Sequence, residues 1–108
     1  MSGTQITLQD LYKKSSTMGP KDLILDVRNP DEFQAGHIEN ARNIPVSEIL
    51  AHANELKAFE NVYIHCKRGG RAKTAFEALK NAGLTNLVCI FDAGMDAWIE
   101  NGYPVKKD

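Results

Sequence analysis

The stretch from Val62 to Gly83 constrains the fold of this chain more than any other. It opens with apolar, β-prone residues, passes through a short loop that contains Cys66, and continues with apolar or small residues at helical spacing. Gly83 follows the periodic segment and predicts its end. Cys66 is therefore expected at the carboxyl end of a buried strand, which is where open α/β sheets bind their ligands.

The loop from Cys66 to Arg71 is basic in a chain whose formal net charge is −1. It holds three cationic residues and no acidic one. Its two glycines permit a tight curl that turns backbone N–H groups inward as an anion-binding nest. The helix that follows adds free N–H groups and its dipole. Cations and helix N-termini favour the thiolate, which is the nucleophilic form of cysteine. We expect a reactive Cys66 in a surface loop that binds an anion.

The other cysteine and the histidines predict structural roles. Cys89 lies in a continuous apolar run, 87–91, and is expected in the core. Two cysteines without C-x-x-C spacing predict neither a disulfide framework nor a zinc site. His37, His52 and His65 are scattered, so we expect no metal and no cofactor. His65 precedes Cys66 directly and should point to the opposite face of the strand.

Composition excludes several classes of partner. The chain has 108 residues, 43% of them hydrophobic and 25% charged, which fits one globular domain over 1–108. The charge balance argues against nucleic-acid binding, and the basic loop has no aromatic residue to stack on bases. No apolar run reaches the length of a membrane span, and no signal peptide is visible at the amino terminus. A working thiol fits a reducing cytoplasm.

Strand and helix patterns alternate along the chain, which predicts an α/β fold with a parallel sheet covered on both faces. A strand or the entry to a helix is expected near 6–7, and further strands at 23–27, at 41–44, before Cys66 and at 87–91. Helices are expected from a Thr7 cap to about 15, from Pro30 to Gly36, at 47–57, at 72–82 and at 95–101. Trp98 and Phe76 are expected in the core.

Four groups of residues in chain order resemble the motifs of the single-domain rhodaneses, a family of sulfurtransferases. They are Asp26-Val27-Arg28 with Glu32-Phe33; Gly36-His37-Ile38 with Ala41 and Asn43-Ile44-Pro45; the C-x-x-G-x-R loop from Cys66 to Arg71; and Gly94 with Trp98 and Gly102-Tyr103-Pro104-Val105. The resemblance spans about 6–105. It implies a rhodanese-like fold with a central, mainly parallel five-stranded sheet and helices on both faces. One departure is Met95, where the family usually has a second glycine; a methionine there could reshape the rim of the pocket.

The resemblance also implies a mechanism. The Cys66 thiolate attacks the outer sulfur of thiosulfate or a similar anionic donor, sulfite leaves, and a persulfide remains. A thiol, a protein thiol or cyanide then takes the sulfur, which gives ping-pong kinetics. The expected binding residues are the six that follow the cysteine, namely Lys67, Arg68, Gly69, Gly70, Arg71 and Ala72. Asp26 and Arg28 are expected as a hydrogen-bonded supporting pair, and His37 as a residue that fixes a turn.

Two other functions stay open. The chain could be a rhodanese-like persulfide carrier or binding module that serves a protein partner. It could also be a phosphatase or arsenate reductase on the same fold. Four residues separate Cys66 from Arg71, one fewer than in the related phosphatases, which favours sulfur chemistry. Two basic residues directly after the cysteine resemble thiosulfate-type members. The oligomeric state is not predicted.

Overall fold

The computed structural model describes residues 4–91 and 93–107. Its centre is a sheet of five parallel strands in the order β1-β5-β4-β2-β3. The strands are β1 (Thr4–Gln5), β2 (Asp22–Asp26), β3 (Arg42–Asn43), β4 (Asn61–His65) and β5 (Leu87–Cys89). The two edge strands have only two residues each. The predicted α/β fold is confirmed, and β4, which leads to Cys66, is the central strand.

Helices connect the strands. They are α1 (Leu8–Ser15), α2 (Pro30–Ala35), α3 (Ala53–Leu56), α4 (Gly70–Asn81) and α5 (Met95–Glu100), with a 3₁₀ segment over Val46–His52 before α3. The predicted caps are present: the Thr7 hydroxyl accepts the N–H of Asp10, and Asn29 and Glu32 form a capping box at the start of α2. Within the described residues, no helix is both long and apolar enough to cross a bilayer.

The prediction of one helix over 47–57 was wrong. A 3₁₀ segment follows Pro45, and its first turn closes with an i to i+3 hydrogen bond from the N–H of Glu48 to the Pro45 carbonyl. In a 3₁₀ helix, residues three apart lie on one line. Val46 and Ile49 have that spacing and pack against the same core, so burial favours the tighter turn.

Two apolar clusters cover the faces of the sheet. The first lies between the sheet and α4 with the 3₁₀ segment, and it contains Cys66 and Cys89. The second lies against α1 and α5 and contains Trp98, as predicted. Phe76 is only partly buried and packs edge-on against Phe91. The alternation along β4 sends Ile64 and Cys66 into the first cluster and Tyr63 into the second.

Candidate active site

Cys66 lies directly after β4, and its sulfur sits at the base of the loop. The Sγ atom accepts two backbone hydrogen bonds, from the N–H of Gly69 at 3.0 Å and of Ala72 at 3.4 Å. The side chain is only 1% exposed, whereas Lys67, Arg68 and Gly70 are exposed. The prediction of a surface loop therefore holds for those three residues and is wrong for the cysteine side chain. Two N–H donors on one sulfur stabilise a negative charge there.

Two glycines let the backbone reach this shape. Gly69 has φ of 118°, in the region that favours glycine, and a Cβ on it would overlap the carbonyl of Phe91. Gly94 lies against the other side of the loop, where a Cβ would overlap the carbonyl of Cys66. Gly70 has open space around its Cα. The curl of the loop thus depends on Gly69 and Gly94 more than on Gly70.

The amino end of α5 holds the outer side of the loop. The N–H of Met95 donates to the Cys66 carbonyl at 2.8 Å, and the N–H of Asp96 donates to the Lys67 carbonyl at 3.2 Å. With these carbonyls turned towards α5, the opposite edge of the loop presents N–H groups to the sulfur. The orientation of the nest is therefore set by contacts on both sides.

The Met95 side chain, which could have reshaped the rim of the pocket, does not line the groove beside the loop. It is buried in the second cluster. A groove of about 300 Å³ borders the loop, and Met95 is not among its lining residues, which are Lys67, Arg68, Ala93, Gly94, Asp96, Ala97 and Glu100. The methionine therefore fills the core where the family usually has glycine.

Acidic side chains from two helices neutralise two of the three loop cations. Glu32 of α2 accepts both terminal nitrogens of Arg71, at 2.6 and 3.1 Å. Asp96 of α5 accepts Arg68 Nε at 3.0 Å, although the Arg68 side chain is 80% exposed. Within the part of the chain that the structure describes, the Lys67 side chain has no such partner. Sequence analysis missed both acids, because they lie far from the loop along the chain.

Asp26 and Arg28 form the predicted hydrogen-bonded pair. Arg28 Nε and Nη2 donate to the Asp26 carboxylate at distances of 2.8–3.1 Å, and Nη2 also reaches the carbonyl of Gly36. Both side chains are buried. Neither touches the Cys66 sulfur, so their supporting role remains a prediction. They tie the end of β2, the neighbour of β4, to the end of α2.

His65 and His37 are both buried. His65 Nε2 lies 4.0 Å from Asp26 Oδ2, beyond hydrogen-bond distance, and burial lowers the pKa of the imidazole. His37 Nδ1 donates to the Phe33 carbonyl at 2.8 Å, and its backbone pairs with Lys106. His37 thus fixes the chain after α2. No group of three or more metal-ligating side chains occurs among the described residues.

Cys89 lies in the core, as predicted. Its side chain is 0% exposed, and its thiol donates to the Ala72 carbonyl at an S···O distance of 3.5 Å. Burial raises the pKa of the Cys89 thiol, and the nearby Cys66 adds to the rise. Cys89 is therefore held as a neutral thiol close to Cys66.

Comparison with known proteins identifies the family. The Rhodanese-like domain profile matches residues 7–101. The chain belongs to the rhodanese-like family. A crystal structure of a rhodanese-related protein from Thermoplasma volcanium superimposes with a TM-score of 0.83 at 35% identity, and the match covers 97% of this chain and 99% of that one.

Curated relatives in this family differ in what their names say. The chain is 32% identical over 76% of its length to thiosulfate sulfurtransferase 16, chloroplastic, of Arabidopsis thaliana, and covers 78% of that protein. It is 39% identical over 62% of its length to YqhL, an uncharacterized protein of Bacillus subtilis, and 35% identical over 69% to YrkF, a putative sulfur carrier of the same organism. It spans only 53% of YqhL and 40% of YrkF.

Proposed function

We propose that the protein is a thiosulfate-type sulfurtransferase that works through a persulfide on Cys66. The observation that carries this proposal is the pair of backbone N–H groups, from Gly69 and Ala72, on the Cys66 sulfur. Before the reaction they favour the thiolate of Cys66. After the reaction the same N–H groups can donate to the anionic persulfide. The family membership supports sulfur chemistry, and a relative named thiosulfate sulfurtransferase supports the donor.

The proposed transfer has two steps. The Cys66 thiolate forms an S–S bond to the outer sulfur of thiosulfate, the S–S bond of the donor breaks, and its electron pair leaves on sulfite. The acceptor thiolate or cyanide then attacks the outer sulfur of the persulfide, and the Cys66 thiolate is regenerated. No general base is needed when the thiolate is already formed, and the two half-reactions give ping-pong kinetics.

The loop divides the work between backbone and side chains. The backbone from Lys67 to Ala72 would hold the sulfur anion. Lys67 is the loop cation without a counter-ion in the described part of the chain. Its ammonium group would therefore attract the anionic donor to the site. Asp26 and Arg28 would support the loop from the neighbouring strand. We propose one catalytic domain over 1–108, without a metal or cofactor, in a reducing compartment such as the cytoplasm.

Mass spectrometry of the intact protein after incubation with thiosulfate tests the proposal. We expect one added sulfur atom per chain, located on Cys66 by peptide mapping and removed by cyanide with release of thiocyanate. The Cys89→Ser variant should load equally, and the Cys66→Ser variant should not load. A wild-type chain that gains no sulfur from thiosulfate or any other sulfane donor would contradict the proposal.

A persulfide carrier is the second candidate, favoured by the similarity to YrkF, a putative sulfur carrier. In that case Cys66 would load in the same way but would pass its sulfur to a protein thiol. Turnover with cyanide and with small thiols decides between the two. Slow release to every small acceptor, together with fast release to one protein thiol, would favour the carrier.

The phosphatase or arsenate reductase remains a weaker alternative. The loop has four residues between Cys66 and Arg71, and the Arg71 guanidinium is bound by Glu32. Both features disfavour a tetrahedral oxyanion in the loop. Cys66-dependent turnover of an aryl phosphate would reverse this ranking.

A further inference from the structure

Glu32 lies on α2, outside the loop, and its carboxylate binds the guanidinium of Arg71. Its Oε1 accepts Arg71 Nη1 at 2.6 Å and also the N–H of Asn29 at 3.1 Å, while Oε2 accepts Arg71 Nη2 at 3.1 Å. The two side chains are 26% and 33% exposed. The carboxylate is thus fixed by the amino end of α2 and takes both terminal nitrogens of the arginine.

This pairing changes what Arg71 can do for a substrate. A guanidinium presents five N–H donors, and Glu32 takes the edge formed by the two terminal nitrogens of Arg71, so a substrate anion cannot use that edge. The hydrogen bond from Arg71 lowers the pKa of the Glu32 carboxyl to about 2, so the pair is fully charged at neutral pH and its charges cancel. The Arg68–Asp96 contact is much more exposed, so it is easily broken by an incoming anion.

We propose that Glu32 is a specificity-determining residue that withholds Arg71 from substrate anions. By cancelling the charge of Arg71, it lowers the positive potential at Cys66. The site still admits the thiosulfate dianion, but it favours this donor over a monoanion, such as an organic thiosulfonate, less than it would with Arg71 unpaired. The inference rests on the proposed function in taking Cys66 as the group that accepts the sulfur.

Alkylation of Cys66 tests Glu32 without any sulfur donor. Iodoacetate and iodoacetamide both react by attack of the thiolate on carbon and loss of iodide, but only iodoacetate is an anion. Both rate constants are proportional to the fraction of Cys66 that is thiolate, so this fraction cancels when the rate constant for iodoacetate is divided by that for iodoacetamide. The ratio therefore measures how strongly the site attracts anions. In Glu32→Gln, whose amide oxygen can still accept hydrogen bonds, this ratio should rise about threefold and depend more steeply on salt.

Glu55→Gln is the matched control. Glu55 also accepts both terminal nitrogens of an arginine, Arg42, at 2.9 and 3.0 Å. That pair lies on the edge strand β3 and on α3, two strands away from β4. The alkylation ratio of this variant should equal that of the wild type. A rise of the same size in Glu55→Gln would overturn the proposal, because the effect would then follow net charge alone.

The double variant Glu32→Gln with Arg71→Gln tests whether the rise in the alkylation ratio comes from the charge of Arg71. It removes both charges of the pair, so the ratio should return to the wild-type value if the gain in the single variant comes from the freed arginine. An unchanged ratio in Glu32→Gln, or a gain that persists in the double variant, would overturn the proposal.

Two sulfur donors extend the test to the reaction itself. The kcat/KM for thiosulfate, divided by that for the methanethiosulfonate monoanion, should rise about threefold in Glu32→Gln and stay constant in Glu55→Gln. Persulfide formation with an unchanged donor ratio would contradict the role of Glu32. If no variant gains sulfur from any sulfane donor, the proposed function fails, and the alkylation ratio still decides whether Glu32 controls anion access.

Discussion

The two cysteines occupy almost the same environment and are held in opposite ways. Cys66 is 1% exposed and Cys89 is 0% exposed, and both lie in the apolar cluster under α4. Both also contact Ala72. The Cys66 sulfur accepts the N–H of Ala72, whereas the Cys89 thiol donates to the Ala72 carbonyl. Burial is common to both, so burial does not distinguish the two cysteines.

The direction of the hydrogen bonds makes the difference. A thiolate has no proton and can only accept, so the site around Cys66 suits the ionised form. Cys89 faces a carbonyl oxygen, and loss of its proton would set two negative groups against each other. Burial already raises the pKa of the Cys89 thiol. The comparison teaches that the orientation of nearby peptide groups, more than accessibility, distinguishes the two cysteines.

Serine substitutions should separate the two cysteines most strongly. Cys66→Ser should lower sulfur transfer by about a thousandfold or more, because a hydroxyl is a far weaker nucleophile, while the fold persists. Cys89→Ser should transfer sulfur within about twofold of the wild type and lose about 1–2 kcal/mol of unfolding free energy. Turnover and urea denaturation measure these effects. Loss of transfer in both variants at equal stability would break the comparison.

Native alkylation should show the next largest contrast. In the folded protein, iodoacetamide should modify Cys66 at least about a hundredfold faster than Cys89, because backbone N–H groups donate to the Cys66 sulfur, whereas the Cys89 thiol donates to a carbonyl. Mass spectrometry of digested samples gives the two rates, and unfolding in denaturant is the control in which both cysteines should react. Comparable native rates would mean that the direction of the hydrogen bonds does not separate the two thiols.

The two loop glycines should differ by a smaller factor. Gly69→Ala places a Cβ at a residue with positive φ, where it overlaps the Phe91 carbonyl. The backbone N–H of residue 69, which donates to the Cys66 sulfur, must therefore move. We expect about a tenfold loss of persulfide formation and about 2 kcal/mol of stability. Gly70→Ala meets open space at the start of α4 and should be neutral or stabilising by up to about 1 kcal/mol. Loading rates and denaturation check this, and equal losses in both variants would disprove the assignment of the Cys66 contact to Gly69.

The smallest effect concerns the ion pair between Arg71 and Glu32, which holds the loop next to Ala72. Because Arg71 lowers the pKa of Glu32 from 4.5 to about 2, the charged pair stabilises the fold above pH 4.5, and this stability is lost as the pH falls through about 2. Glu32→Gln should therefore be about 1 kcal/mol less stable than the wild type at pH 7, allowing for solvent screening, and the gap should close towards pH 2. Denaturation at several pH values measures it. A gap independent of pH would exclude an ionic contribution.

Local patterns predicted most of the elements. The Thr7 cap, the Pro30 start of α2 and Gly83 after α4 are signals within a few residues of the ends they mark, and these three helices are present where expected. The position of Cys66 after a buried strand also followed from its neighbours in sequence, whereas the central place of that strand in the sheet did not. The 3₁₀ segment was missed because its residue spacing fits both helix types until the packing is known.

The surroundings of the loop could not be predicted, because they come from distant parts of the chain. Glu32 is 39 residues from Arg71, and Asp96 is 28 residues from Arg68. The loop alone suggested three available cations, whereas the fold brings an acid to two of them. The burial of the Cys66 side chain likewise depends on α4 and α5 closing around the loop, which no local pattern reports.

The contacts from α5 mean that the Cys66 loop cannot be completed until α5 has been synthesised. Cys66 leaves the ribosome well before Met95 and Asp96, whose N–H groups take the carbonyls of Cys66 and Lys67. A nascent chain that still lacks α5 therefore carries the cysteine on a loop without its outer support. The loop therefore gains its full set of backbone hydrogen bonds only when α5 has docked, so a part of the chain made late completes the surroundings of a cysteine made early.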